Sequence, residues 1–261
     1  MTSPHYRARR ATTALLLAAS VFALAAPAAP TLASPIDWIA GNSVKGSGKL
    51  QKQQREVGRF NGVALNVPGT VELRIGNTES LTIETDDNLL PLIDTVVENG
   101  TLRIRPARRN TNLRQTTLHI VVYASNIERV SVGGSGAVNA SGLRGEKLRF
   151  DVGGSGSIDA GQLDVRLVSV AIGGSGNFKA SGKTEQLTAS IGGSGHIDAG
   201  RLAARQVQVS IGGSGEAEVW AKDKLAISIG GSGEVSYYGD PQVSRSMQRS
   251  SSIRRLGAAP N

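Results

Sequence analysis

Between residues 127 and 238, apolar and polar positions alternate in short runs on either side of one tetrapeptide, Gly-Gly-Ser-Gly. Its six copies occupy 133–136, 153–156, 173–176, 192–195, 212–215 and 230–233, so their starts are 20, 20, 19, 20 and 18 residues apart. One residue before each copy stands Val132, Val152, Ile172, Ile191, Ile211 or Ile229. Three before stand Val130, Phe150, Val170, Ala189, Val209 and Ile227. Two after each copy come Val138, Ile158, Phe178, Ile197, Ala217 and Val235, and four after come Ala140, Ala160, Ala180, Ala199, Val219 and Tyr237. The residues between them are polar or small, such as Ser131, Asp151, Ser190 and Ser210 on one arm and Asn139, Asp159, Asp198 and Glu218 on the other. Period-two alternation on both sides of a turn predicts strand, turn, strand, with the apolar set facing inward. Near-constant spacing of an identical turn predicts stacked repeats, because one coil cannot bury its apolar face alone. The expected fold is therefore all-β, a parallel β-helix or solenoid with coils of about 20 residues.

On this reading the tetrapeptides are corners. The glycines concerned are Gly133, Gly134 and Gly136; Gly153, Gly154 and Gly156; Gly173, Gly174 and Gly176; Gly192, Gly193 and Gly195; Gly212, Gly213 and Gly215; and Gly230, Gly231 and Gly233. They are expected to supply positive φ where a Cβ would clash. The intervening serines are expected to bond along the axis. A further glycine after each corner (Gly142, Gly161, Gly182, Gly200) marks a second bend.

The array has less regular ends. Residues 60–75 carry a degenerate coil around Pro68-Gly69-Thr70. Residues 80–123 depart from the repeat: a strand at 80–85, a helical turn within 88–93 capped by Asp86-Asp87, a hairpin about Asn99-Gly100, and a strand at 116–123. After Tyr237-Tyr238-Gly239-Asp240-Pro241, residues 239–256 read as a decayed last coil, with Arg249-Ser250-Ser251-Ser252 in place of a glycine corner. Its Arg245, Arg254 and Arg255 would discourage strand addition at the open end. The expected organisation is a leader at 1–33, a linker or cover at 34–58, the solenoid at 59–256 with regular coils at 127–238, and a disordered tail at 257–261.

These features resemble the putative auto-transporter adhesin, head GIN domain family of bacterial envelope proteins. The resemblance covers roughly 46–256. It rests on Gly46-Ser47-Gly48, on Phe60-Asn61-Gly62-Val63, and on the run from Ser80-Leu81-Thr82-Ile83 to Asn88-Leu89-Leu90. Gly100-Thr101-Leu102-Arg103-Ile104, the Gly-Ser-Gly turns and the Tyr-Tyr-Gly-Asp-Pro ending extend it. The family implies a right-handed parallel β-helix in an exported protein, and no catalytic residues. The chain departs from the pattern at Pro68-Gly69-Thr70 and at Arg249 and Ser251.

The N-terminus adds a compartment. Arg7, Arg9 and Arg10 precede an apolar run from Ala11 to Ala26, and small residues end at Thr31-Leu32-Ala33. A short apolar run between basic and small residues predicts a cleaved secretory leader and no transmembrane span in the mature chain. The expected location is periplasmic, cell-surface or secreted. The chain has no Cys, which excludes disulfides and lipid attachment at a Cys. Loss of the leader removes three Arg and no acid, so the formal charge falls from +8 to +5. Aromatics are only 4%, which suits a thin core of small and β-branched residues.

Candidate chemistry is sparse. A calcium-binding repeat needs Asp two residues after the last glycine at a nonapeptide period, and here that position is apolar. Six equivalent serines without a base do not make a nucleophile. Gly46-Ser47-Gly48-Lys49 is followed by Leu50 and lacks phosphate-loop spacing. His119 and His196 are isolated. The densest positive cluster is Arg105, Arg108, Arg109 and Arg114, a candidate contact for an anionic ligand. No cofactor, metal or specific nucleic-acid partner is expected. The leading reading is a non-enzymatic envelope protein, adhesin-like, whose partner is an envelope glycan or another envelope protein. A self-associating scaffold is the alternative. A carbohydrate-active enzyme is a third, because polysaccharide lyases share the fold and fold alone does not settle function.

Overall fold

The computed structural model describes residues 43–109, 111–115, 117–247 and 250–260. The leader, the first part of the linker, and Arg249 at the last corner lie outside the described residues. The chain begins with β1 (Ser43–Lys45), β2 (Leu50–Arg55), β3 (Gly62–Leu65), β4 (Thr70–Ile75) and β5 (Ser80–Asp86). A 3-10 turn at Leu90–Leu92 leads to β6 (Ile93–Glu98), β7 (Thr101–Pro106), β8 (Asn112–Arg114) and β9 (Leu118–Ala124). The coils follow as β10 (Arg129–Val132), β11 (Ala137–Ser141), β12 (Arg144–Val152), β13 (Ser157–Ile172), β14 (Asn177–Ile191), β15 (His196–Ile211) and β16 (Glu216–Ile229). The chain closes with β17 (Glu234–Tyr238), β18 (Gln242–Met247) and β19 (Ser252–Gly257).

Apart from the β1–β8 pair, these strands form one 17-stranded sheet wound into a parallel β-helix. On the arm before the corner the stack runs β6, β7, β3, β10, β12, the second halves of β13 to β16, and β18. On the arm after it the order is β2, β5, β9, β4, β11, the first halves of β13 to β16, β17 and β19. Spatial and sequence order differ at the start. The 60–75 coil is not the end layer, because β7 and β9 stack outside β3 and β4, and antiparallel β6, β5 and β2 close that end.

The inward assignment holds along the array. Val132, Val152, Ile172, Ile191, Ile211 and Ile229 stack in register and are all buried. So do Val138, Ile158, Phe178, Ile197, Ala217 and Val235. Burying one such aliphatic side chain contributes about 1.5–3 kcal/mol, so lateral repetition stabilises every coil interior. Phe150 and Phe178 meet across the interior at 4.9 Å between ring centroids.

Burial along β13 shows how a coil bends. Ile158 and Ala160, then Leu163 and Val165, then Val168, Val170 and Ile172 are buried, with two residues between successive sets. Each two-residue step shifts the alternation and turns the strand, so a coil has three faces. The first step carries a register shift and a left-handed Gln162 (φ 55°). One coil on, Gly182 has φ 123°, and a Cβ there would lie 2.2 Å from the Leu163 carbonyl oxygen. The second glycines thus mark a bulged bend, as the sequence implies.

The main corner differs from expectation. None of its glycines adopts a left-handed φ. Close stacking is the reason instead. A Cβ on Gly154, Gly174, Gly193, Gly213 or Gly231 would lie 2.0–2.5 Å from a carbonyl oxygen of the preceding corner. A Cβ on the last glycine of each corner would meet the preceding corner's carbonyls or an inward Val or Ile, as at Gly176 (Val152 Cγ1, 2.4 Å). From the second corner on, the first glycine is under no such pressure: nothing lies within 4 Å of a Cβ on Gly173, whereas one on Gly133 would meet the Asn66 side chain. The serine ladder is also corrected. Of the corner hydroxyls, that of Ser232 bonds along the axis, to Ser250 (3.4 Å). Backbone bonds link the corners, as from Ser175 N–H to the Gly154 carbonyl (3.2 Å).

Two further differences concern the ends. Asp86 and Asp87 do not cap the helical turn, whose N-cap is Leu89 without a side-chain bond. Asp86 accepts from Gly48 N–H (2.7 Å) and Asp87 from the Ser47 hydroxyl, fixing the 46–48 loop beneath β5. At the other end, β19 runs to Gly257, whose carbonyl accepts the Gly239 N–H (2.9 Å). There Arg245 pairs laterally with Ile227, and Arg255 with Tyr237, so both guanidinium side chains occupy inward columns. Arg255 Nε donates to the Gly239 carbonyl (2.8 Å). Inward-pointing charge is a known way to terminate a sheet.

Candidate binding surfaces

The corners are consumed by packing, which leaves the three outward faces and the 105–114 segment. Arg105 projects from β7 and donates to Glu98 (2.8 Å), with Asp94 at 3.4 Å. The hydrogen bond that it donates to Glu98 raises its pKa above the ordinary guanidinium value. Its charge is therefore matched within its own hairpin. Arg108 and Arg109 are exposed in the loop after β7. Arg114 is exposed on β8, held against β1 beside the buried Leu113. The positive cluster is thus split between one paired arginine and three exposed ones.

The face after the corner carries the column Asn139, Asp159, Lys179, Asp198 and Glu218. Its charges meet partners along the axis: Lys179 lies 3.9 Å from Asp198, and His196 lies 3.5 Å from Glu216. His119 likewise faces Glu72 at 3.1 Å. Arg74 also bonds Glu72 (2.6 Å), and these contacts hold the Glu72 carboxyl below its ordinary value, Arg74 being the larger cause. Both histidines are ladder residues between coils.

The second face is charged and self-complementary. Arg166 meets Glu146 at 2.6 Å, Lys183 meets Asp164 at 3.2 Å, and Arg205 meets Asp223 at 3.0 Å, each between neighbouring coils. The bond to Glu146 raises the Arg166 pKa. These exposed pairs are screened by solvent and add little to stability.

The face before the corner changes character along its length. Its early coils hold Arg129, Arg149 and Asp151, with Arg149 paired to Asp151 at 2.8 Å. Later coils replace them with Ser169, Thr188, Gln208, Ala226 and Ser244 in one column. Ala171, Ser190, Ser210, Ser228 and Ser246 form the next, and Gln186, Gln206, Lys224 and Gln242 the third. A groove of about 440 Å³ runs over Gln186, Gln206, Gln208, Lys224, Gln242 and Ser244. Sequence reading identified the serine column but not the glutamines two and four residues further from the corner; the run Gln206-Val207-Gln208-Val209-Ser210 was the available signal. Among the described residues no group of three or more His, Asp or Glu is placed to hold a metal.

A parallel β-helix with packed corners and laterally paired polar faces belongs to the class of β-solenoid proteins. The chain belongs to the family described as "Putative auto-transporter adhesin, head GIN domain", whose model matches residues 59–241. A putative adhesin from Bacteroides fragilis NCTC 9343 is 24% identical, with a TM-score of 0.75, covering 82% of this chain and 100% of that one. A putative lipid binding protein from Parabacteroides distasonis ATCC 8503 is 25% identical, with a TM-score of 0.69 and coverage of 82% and 100%. A putative adhesin from Parabacteroides merdae ATCC 43184 is 21% identical, with a TM-score of 0.63 and coverage of 82% and 99%. Comparison with curated proteins found no match. Among the described residues, no helix is long and apolar enough to cross a membrane.

Proposed function

We propose that this protein is a non-enzymatic, exported module of the bacterial cell envelope that binds through its outward faces in the manner of an adhesin. The observation that supports this most is the division of labour in each coil. Inward positions repeat the same apolar types, and corners are fixed by backbone packing. Outward positions instead vary among charged, polar and small residues, giving long, flat, exposed rows on a rigid support. Family membership supports the same reading, and its name is the source of the word adhesin.

Arg108, Arg109 and Arg114 are the contacts we assign to an anionic envelope glycan. Arg105 serves its own hairpin. The test is binding of the purified protein to isolated envelope fractions and to a glycan array at low salt. The expected result is saturable binding, with the anionic-glycan component lost in an Arg108→Ala/Arg109→Ala variant. Absence of binding to cells, envelopes and glycans alike would contradict the module reading. Turnover of a polyuronate would contradict its non-enzymatic part.

A further inference from the structure

We infer that the face before the corner, over the last four coils, is a binding site for a neutral, extended polysaccharide lying along the solenoid axis. The inference rests on the reading of the protein as a binding module and assigns one of its faces a ligand class.

The first observation is hydrogen-bonding capacity without partners. Gln206, Gln208 and Ser210 are exposed on one coil, and Gln242 and Ser244 are exposed in the same columns two coils on; the coil between presents Lys224, Ala226 and Ser228. Among the described residues, the side chains of these glutamines and serines make no hydrogen bond, whereas the charged side chains of the second face pair across coils. A primary amide presents two donors and an acceptor, and a hydroxyl presents both roles. That mixture suits a polymer whose own surface is hydroxyl groups.

The second observation is periodicity. Parallel strands lie about 4.8 Å apart, so each column offers an outward side chain at that interval along the axis, and the column Ser190, Ser210, Ser228 and Ser246 offers a hydroxyl on every coil. The interval is close to the advance of one sugar in an extended β-linked chain. A polymer along this face would therefore meet an amide or hydroxyl on each coil, with Ser228 serving where Lys224 and Ala226 interrupt the other two columns.

The third observation is charge. Lys224 is the one ionic side chain lining this groove, against Glu146, Asp164, Arg166, Lys183, Glu185, Arg205 and Lys222 in the groove of the second face. A nucleic acid or polyuronate gains affinity from neutralising several charges, and this groove supplies one cation, with Arg245 alone in the depression beside it over Gln208, Ser228 and Ser244. A protein partner would be expected to find an aromatic or arginine anchor at the centre of its contact. The centre here is Gln206, Gln208 and Ala226 over apolar strand edges.

The experiment is sedimentation with insoluble cellulose, chitin, mannan and β-1,3-glucan, beside soluble polygalacturonate in an affinity gel. It is run at low salt and in about 1 M NaCl, where the screening length is about 3 Å. Proteins are wild type, Gln206→Ala/Gln208→Ala, Ser210→Lys, the Arg108→Ala/Arg109→Ala variant, and Glu185→Ala on the second face as a control. Circular dichroism confirms that each is folded. The expected result is binding to at least one neutral polymer that survives high salt. It falls about tenfold or more in both ladder variants and is unchanged in Glu185→Ala. Neutral-polymer binding that is indifferent to the ladder variants overturns the inference. So does binding to polygalacturonate alone, lost in salt or with Arg108 and Arg109, which leaves the module reading intact. Capture of an envelope protein through this face, without any glycan, replaces the ligand class and also overturns it. Absence of binding to every probe and to whole envelopes removes the module reading as well.

Discussion

The corner glycines offer a sharp test, because two neighbours of identical type are predicted to behave in opposite ways. A Cβ on Gly174 would lie 2.3 Å from the Gly154 carbonyl oxygen and 3.0 Å from that of Gly153. Ordinary carbon–oxygen approach is about 3.3 Å or more, so the two coils must separate locally by about 1 Å. The obstacle is backbone on both sides, which cannot rotate aside. Overpacking of this kind costs about 1–3 kcal/mol. Separation also stretches the bond from Ser175 N–H to the Gly154 carbonyl, already 3.2 Å, at a cost of about 0.5–1.5 kcal/mol. Gly174→Ala is therefore expected to destabilise by about 2–4 kcal/mol, or roughly 5–15 °C in Tm for a domain of this size. Gly173→Ala meets nothing within 4 Å and has no left-handed φ to lose. It should be neutral or stabilising by up to about 1 kcal/mol through the unfolded chain. Thermal and urea unfolding followed by far-UV circular dichroism reads both variants. Equal losses would mean that backbone conformation, not close stacking, selects these glycines, and a Gly174→Ala protein as stable as wild type would refute the argument outright.

Other consequences are independent of the corners. Ile191→Asp places a carboxylate in a column that is 1% exposed and should cost more than about 4 kcal/mol and prevent folding. Asp198→Ala removes only a long exposed contact to Lys179 and should change stability by less than about 0.5 kcal/mol; similar tolerance at both sites in urea unfolding would contradict the inward assignment. Glu72 has a folded pKa below its ordinary value of 4.5, so its contribution is present above that value and lost as pH falls through the depressed one. Glu72→Gln should thus flatten the acid limb of a stability–pH profile below about pH 4.5, and superimposable acid limbs would speak against the Arg74 and His119 contacts. Arg245→Ile/Arg255→Ile continues two apolar columns onto the last coil and should raise the mass seen by light scattering as concentration increases. A variant that stays as monodisperse as wild type would remove the end-blocking role given to these arginines.

Much of the architecture is legible in the chain because the repeat states each position six times. Alternation around an invariant turn identifies both the inward columns and the coil length, and neighbouring coils agree on every assignment. Legibility fails where a residue's role depends on what stacks above it. The corner glycines look like positive-φ residues when one coil is read alone, and only the carbonyls of Gly154 or Gly193 in the adjacent coil show another cause. Asp86 and Asp87 precede a helical turn, so capping is the local inference, yet their partners are Ser47 and Gly48, some forty residues earlier. The placement of β7 and β9 outside β3 and β4 leaves no periodic trace, since a layer order is not a spacing. On the outward faces, charge can be counted from sequence, but whether Arg105 is free or held by Glu98 cannot. The polar ladder was hidden for a related reason: Gln186, Gln206, Lys224 and Gln242 become one row only once the 18-to-20-residue offsets are laid side by side.

The account stands on parallel, in-register stacking of the coils, and cysteine pairing measures that directly because the native chain contains no Cys. Ser190 pairs with Ser210, and Ser210 with Ser228, in one outward column. Neighbours about 4.8 Å apart across strands fall within the Cα separation of about 4.4–6.8 Å that a disulfide spans. Ser190 and Ser228 are two layers apart, about twice the strand spacing and too far to bridge. Mild oxidation of the purified double variants, followed by thiol titration and non-reducing electrophoresis, should give intramolecular disulfides in Ser190→Cys/Ser210→Cys and Ser210→Cys/Ser228→Cys and none in Ser190→Cys/Ser228→Cys. Bridging in the third variant, or its absence in the first two, would contradict the stacking from which every surface described above is built.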